Sequence, residues 1–170
     1  MTGPIPILMY HQIDEPPARG TPLRGLVVSP RSFAWQMNML RILGFRGLSM
    51  RDLEPYLLGQ KQGRVVGITF DDGYLNNHDQ ALPILRRLGH TATCYAVSSL
   101  IGLSNRWDDG VIATQPLMGK SQWLRWLDAG MDVGSHTCHH IDLQASEDAL
   151  ALDEMISSKS ELESELGIEV

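Results

Sequence analysis

The sequence predicts an α/β fold built on a mostly parallel sheet. Short apolar, β-branched runs alternate with helix-length patterns, the runs are continuous enough to be buried strands, and glycines close the helical stretches. With 170 residues, 43% of them hydrophobic, the chain can pack one core, and no linker-like stretch, charge block or repeat divides it, so residues 1–170 read as one unit.

In chain order, residues 5–10 read as a first buried strand. Ser29-Pro30 opens a helix in which Phe33, Met37, Leu40 and Leu43 share a face until Gly44 ends it. Residues 65–70 form a second buried strand, and residues 80–88 a helix closed by Gly89, with Pro83 near its first turn, where a missing N–H costs little. A third strand follows at 91–97. Residues 102–120 include Asn105, Asp108, Asp109, Gly110 and Pro116 without periodicity and read as a long, candidate substrate-facing surface loop. Ser121 is expected to cap a helix reaching Ala129, residues 131–134 to make a short strand, and Ser146 to cap a long acidic helix ended by Gly167. That helix should turn Leu152, Met155, Ile156, Leu162 and Leu166 inward. Residues 168–170 look like the opening of a further strand, so the unit is expected to be incomplete.

A formal net charge of −6 argues against a nucleic-acid partner, because neutralising phosphates takes clustered Lys and Arg. The apolar runs fall far below the roughly 20 residues of a membrane span. Residues 1–10 lack a basic start followed by an apolar core, so the sequence as written carries no expected export signal and leaves the compartment open. Cys94 and Cys138 read as two ordinary thiols.

Thr69-Phe70-Asp71-Asp72-Gly73-Tyr74 places adjacent carboxylates at the end of an apolar strand, where parallel α/β sheets gather their catalytic groups. Neighbouring strand residues point to opposite faces, but a turn at Gly73 can aim both carboxylates into one pocket, one to hold a metal and the other free as a base. Taken alone, Asp-Asp-Gly is an ordinary polar turn. Ser135-His136-Thr137-Cys138-His139-His140 repeats the placement after another strand. His136 and His140 are four apart, so one helical turn would bring both imidazoles to one side while His139 diverges. Two imidazoles and one carboxylate suit a divalent ion, Zn foremost and Co, Ni or Fe as alternatives, with coordination positions left open. Two such motifs at matching strand ends are far more specific than either alone.

Other residues are weaker candidates. His11 follows the first strand and could line the pocket or cap it, and Asp14 is similar. His78 and His90 read as exposed helix-end residues, Cys138 as packing behind the site, and Tyr74 as structural or sugar-facing. Trp123 and Trp126 sit at helical spacing and belong to the core, which leaves Trp107 in the loop as the better sugar-stacking candidate.

Together these residues resemble the polysaccharide deacetylase family, the group that shares the NodB homology domain (carbohydrate esterase family four). The segments around Asp71-Asp72 and His136/His140 look like its first two motifs, and Leu8-Met9-Tyr10-His11-Gln12-Ile13 is similar to the opening of the branch acting on poly-N-acetylglucosamine. Ala81-Leu82-Pro83-Ile84-Leu85 and Thr91-Ala92-Thr93 also fit its spacing, so the resemblance covers nearly the whole chain. It implies a distorted, incompletely closed (β/α) barrel and removal of N-acetyl groups from an N-acetylated glycan. Asp71 would be the catalytic base and Asp72, His136 and His140 the ligands of one divalent metal. His11, Tyr74 and Trp107 would face substrate. The family's later motifs, which supply an oxyanion-hole stretch, an Asp-Trp element and a general-acid histidine, do not follow His140. The 170 residues therefore correspond to the amino-terminal portion of the domain and are expected to bind metal but turn over weakly alone.

Competing expectations are a hydrolase of small linear or cyclic amides and a non-catalytic carbohydrate-binding relative. A third, an α/β domain with coincidental Asp and His, predicts no tight divalent metal.

Overall fold

The computed structural model describes residues 4–170; residues 1–3 of the stretch read for an export signal lie outside the described residues. In chain order the elements are β1 (Ile7–Tyr10), β2 (Gln12–Ile13), β3 (Val27–Val28), α1 (Pro30–Ile42), β4 (Arg46–Leu48), α2 (Met50–Leu57) and β5 (Val65–Phe70). They continue with α3 (Leu82–Leu88), β6 (Thr93–Ala96), α4 (Lys120–Asp128), β7 (Asp132–Ser135) and α5 (Asp148–Leu166).

Five strands form a parallel sheet in the order β1-β5-β6-β7, with β4 also paired to β5; β2 and β3 form a separate parallel pair. No ladder joins β7 to β1 among the described residues, so the sheet is not closed. β5 is its centre. All six of its residues are buried, because helices cover both its faces. On one side Phe33 and Met37 of α1, Leu85 of α3, Trp123 and Trp126 of α4, and Leu162 and Leu166 of α5 share a core with Ile68, Phe70 and Val133. A smaller cluster holds Leu53 of α2 against Leu48 and Val65.

Most of the expected elements form, and the departures have local causes. Ser29 caps α1 by accepting the Ser32 N–H at 3.2 Å, and Gly44 turns the chain at φ 76°, but Leu43 lies beyond the helix and is exposed. β4 and α2 were not legible: β4 has three residues, and α2 contains Pro55, although Ser49 caps it through the Asp52 N–H. A π-helical turn, Asn77–Ala81, precedes α3, so that helical region starts before residue 80. Gly119, not Ser121, sits at the cap of α4, and Glu147, not Ser146, at that of α5; the Ser146 hydroxyl instead donates to the Asp142 carbonyl.

The buried stripe of α5 is also different from the expected one. Leu162 and Leu166 point inward, but Leu152, Met155 and Ile156 are exposed, and Glu154 and Ser158 take the inward positions. The reason is polar: Ser158 bonds Ser135 on β7 at 2.7 Å, and Glu154 binds the turn that follows β7. Residues 168–170 form no strand; the Val170 N–H donates to Glu163. His90 is buried rather than exposed. Its Nδ1 accepts the Gly47 N–H and its Nε2 donates to the Met37 carbonyl, both at 3.0 Å, tying β4 to α1. His78 is half-buried between Asp79 and Arg125. Among the described residues no helix is long and apolar enough to cross a membrane.

Candidate metal centre

Both motifs emerge at the carboxyl ends of parallel strands, β5 and β7, with β6 between them. The Asp71 N–H still donates to the Tyr10 carbonyl at 2.9 Å, so Asp71 is the last ladder residue. The chain then takes two consecutive left-handed residues, Asp72 at φ 74° and Gly73 at φ 75°. At Gly73 this is obligatory twice over: a Cβ there would also lie 2.8 Å from Cζ2 of buried Trp123. At Asp72 the conformation stores strain, of order 1–3 kcal/mol, which the surrounding packing must hold.

The second motif uses the same device instead of the expected helical turn. The His136 N–H remains on the ladder, donating to the Ala96 carbonyl, after which Thr137 and His140 adopt φ 64° and 60°. The Thr137 hydroxyl accepts the His140 N–H at 2.9 Å. This strained turn, not a helix, sets the two rings 5.0 Å apart at 77°.

Asp72 Oδ1 lies 3.3 Å from His136 Nε2 and 3.2 Å from His140 Nε2. It is buried, yet no donor is aligned on it. Three electron-pair donors thus converge head-on. Bonds of about 2.0–2.1 Å in a tetrahedral zinc site put ligand atoms about 3.3 Å apart, so the residues present fit such an ion.

The two adjacent carboxylates have different environments. Burial works against ionisation of Asp72, but the His136 and His140 side chains outweigh it and hold the carboxyl well below the usual range. Burial pushes Asp71 above that range, with His11 and His136 pulling part of the way back. His11 Nε2 is 3.7 Å from Asp71 Oδ2. Burial opposes protonation of His140, but Asp72 outweighs it and raises the ring's affinity for a proton.

The remaining candidates divide. Tyr74 is buried, 2% exposed, and its phenol is pushed far up, first by burial and then by Asp72 and Asp108. Trp107 stacks flat on His140, centroids 4.4 Å apart at 12°, so one of its faces is already occupied. Asp14 is absorbed locally by the Glu15 N–H and the Asn76 amide. Cys138 packs behind the turn and His139 points away, as expected.

Sequence reasoning missed Glu154. Its Oε2 accepts the N–H groups of Cys138 at 2.8 Å and His139 at 3.0 Å, and Oε1 meets His139 Nδ1 at 2.6 Å, so it shapes the turn that carries both imidazoles. The only trace in the sequence is an acidic residue spaced i, i+4 and i+8 with Ser158 and Leu162, which carries meaning only once the inward stripe is known. Cys138, His139 and Glu154 also come within ligand distance of one another, but these hydrogen bonds already occupy the Glu154 carboxylate.

Comparison with known proteins places the chain in a family. Residues 59–170, which include both motifs, match the family model described as Polysaccharide deacetylase. The chain belongs to that family. It is 29% identical over 157 residues to YxkH of Bacillus subtilis (strain 168), covering 91% of this chain and 50% of that protein. The deacetylase PplD of Streptococcus pyogenes, solved in complex with acetate, superposes with a TM-score of 0.81 at 27% identity, covering 98% of this chain and 70% of PplD. IcaB from Ammonifex degensii gives 0.79 at 26% identity, covering 98% and 71%. The chain thus spans about half the length of the curated relative it matches.

Proposed function

We propose that this chain supplies the metal-holding and proton-accepting groups of an N-deacetylase that removes acetyl groups from N-acetylated amino-sugar polysaccharides. The observation that carries the reading is the convergence of Asp72 Oδ1 with His136 and His140 Nε2 within 3.3 Å, with Asp71 free beside it. Asp72, His136 and His140 would hold one divalent ion, Zn foremost and Co, Ni or Fe as alternatives. Such an ion supplies Lewis-acid polarisation of the acetamide carbonyl and lowers the pKa of water from about 15.7 to about 7.

The chain's own groups complete the arrangement. Asp71, made more basic by burial, accepts the proton of the attacking water, while Asp72 stays ionised as a ligand. Two carboxylates whose environments push their proton affinities apart are the pattern expected of a base beside a ligand. His11 lies where it can steady the ionised form of Asp71. A polymeric amino sugar is favoured over small amides by the Met9-Tyr10-His11 opening and by membership of the family.

The test is elemental analysis of the purified protein with Asp72→Ala, His136→Ala and Asp71→Ala, followed by acetate release from N-acetylglucosamine oligomers by the same variants. The expected result is near-stoichiometric metal, lost in the first two variants and retained in Asp71→Ala, which alone loses acetate release with its metal in place. Wild-type chain that stays metal-free after added Zn or Co overturns the site. Metal and glycan binding without acetate release selects a non-catalytic relative.

A further inference from the structure

The segment at 102–119, within the stretch 102–120 read as a candidate substrate-facing surface loop, is stitched to the first motif and laid against the second. The Met118 N–H donates to the Gly73 carbonyl at 2.8 Å and the Leu75 N–H to the Pro116 carbonyl at 3.0 Å, on either side of Tyr74, which itself bridges to Leu117. The strand-like stretch that makes these bonds is closed on itself through Asn105. That residue is 1% exposed; its Oδ1 accepts the Gln115 N–H at 2.6 Å, its own N–H donates to the Gln115 carbonyl, and its Nδ2 donates to Asp108. Between Asn105 and Asp108, in a single 3-10 turn, stands Trp107.

From that fixed turn the indole covers the His140 ring at 4.4 Å and 12°, with the edge of Tyr74 6.4 Å away. Metal-ligating imidazoles are ordinarily oriented by a hydrogen bond from their second nitrogen to a carboxylate, a backbone carbonyl or water. Among the described residues the His140 ring is held by Asp72 and by a hydrogen bond to its own backbone, and no carboxylate or carbonyl of another segment takes its second nitrogen. Its backbone is moreover strained at φ 60°, a conformation the surrounding contacts must hold. His136 meets the ring edge-on at 5.0 Å, and the stacked indole is the contact that covers its flat face.

We infer that Trp107 is a positioning residue for the metal ligand His140, and that the 102–119 segment is a clasp joining the Asp72 turn to the His140 turn. The inference rests on the metal-site reading above and adds to it which residue holds the site together. Because both ends of the clasp bear on ligand-carrying turns, ordering of the segment and metal occupancy are coupled and must reinforce each other reciprocally.

The test uses the full 170-residue chain with Trp107→Ala, Trp107→Phe and Asn105→Ala, each checked for folding by circular dichroism. Zinc affinity and release rate are read by competition with a chromophoric chelator, and ligand geometry by the visible absorption of the cobalt-loaded chain. Trp107→Ala should weaken zinc binding about 10–100-fold, the range for losing an outer partner of a metal ligand. It should also alter the cobalt spectrum, while Trp107→Phe restores most of both because a flat ring is kept. Hydrogen exchange across 102–119 should slow when zinc is added to the wild type and not when it is added to Trp107→Ala. Unchanged zinc affinity and cobalt spectrum in a folded Trp107→Ala overturns the positioning role with the metal site intact. Absence of zinc binding in the wild type overturns the site reading and this inference with it.

Discussion

Replacing Glu154 with Ala removes the one carboxylate around which the His136–His140 turn is folded. Its Oε2 accepts two backbone N–H groups, from Cys138 at 2.8 Å and His139 at 3.0 Å, and Glu154 is 6% exposed. A hydrogen bond to a charged group contributes about 1.5–3 kcal/mol, so two contribute roughly 3–6 kcal/mol. The contact with the His139 ring adds little, because that ring is 63% exposed and a solvated ion pair contributes about 0–1 kcal/mol. Water that enters beside the truncated side chain recovers part of the loss. The expected cost is therefore about 3 kcal/mol, near 9 °C in Tm at about 2–4 °C per kcal/mol for a chain of this size. Glu154→Gln keeps an acceptor and should cost about 1 kcal/mol. Because the turn carries both imidazoles, zinc affinity of Glu154→Ala should also fall, by about 10–100-fold. Urea unfolding followed by circular dichroism, with zinc titration against a chelator, measures both. A Glu154→Ala chain within about 0.5 kcal/mol of the wild type, the range of an inert surface change, and with unchanged zinc affinity would refute the reasoning.

Two further outcomes follow from the same geometry. Gly73→Ala places a Cβ at φ 75° and 2.8 Å from Trp123, a ring 1% exposed and unable to yield; the left-handed penalty alone is roughly 1–2 kcal/mol, so thermal melts should show at least that loss together with loss of bound metal. The pH response should change sign with metal. In the metal-free chain the Asp72–His140 contact raises the ring's proton affinity above the unfolded value, so its stabilisation is complete below the ordinary histidine range and is lost as pH rises through the folded value. In the zinc-loaded chain the ion must displace that proton, so stability should rise over the same window. Melting curves with and without zinc across that range settle it, and parallel curves would contradict it.

How much of this was legible depends on whether the controlling contact is local in sequence. The strand Val65–Phe70, the helix opened by Ser29-Pro30 and the two motifs at strand ends could all be read, because burial of a whole strand, a capping hydroxyl and clustered carboxylate and imidazole groups leave their mark on consecutive residues. The meeting of the His136 and His140 rings was legible too, though for the wrong backbone: spacing pointed to a helical turn, whereas left-handed residues at Thr137 and His140 bring the rings together. Nothing in a run of six residues distinguishes those conformations, since both place side chains four apart on one side.

Other features were set by residues far along the chain. His90 looked like an exposed helix end until β4 and α1 closed on both its nitrogens. The inward stripe of α5 looked apolar until the polar demands of β7 and its following turn selected Glu154 and Ser158. Trp107 looked free to stack on a sugar until His140 took one of its faces. The sequence by itself determined the chemistry available, two carboxylates and two imidazoles at the ends of parallel strands, because those groups and their placement are written in consecutive residues. Only the tertiary structure decided what surrounds each group, one carboxylate buried against the imidazoles and its neighbour left beside His11, because the partners each meets come from segments 60 or more residues away.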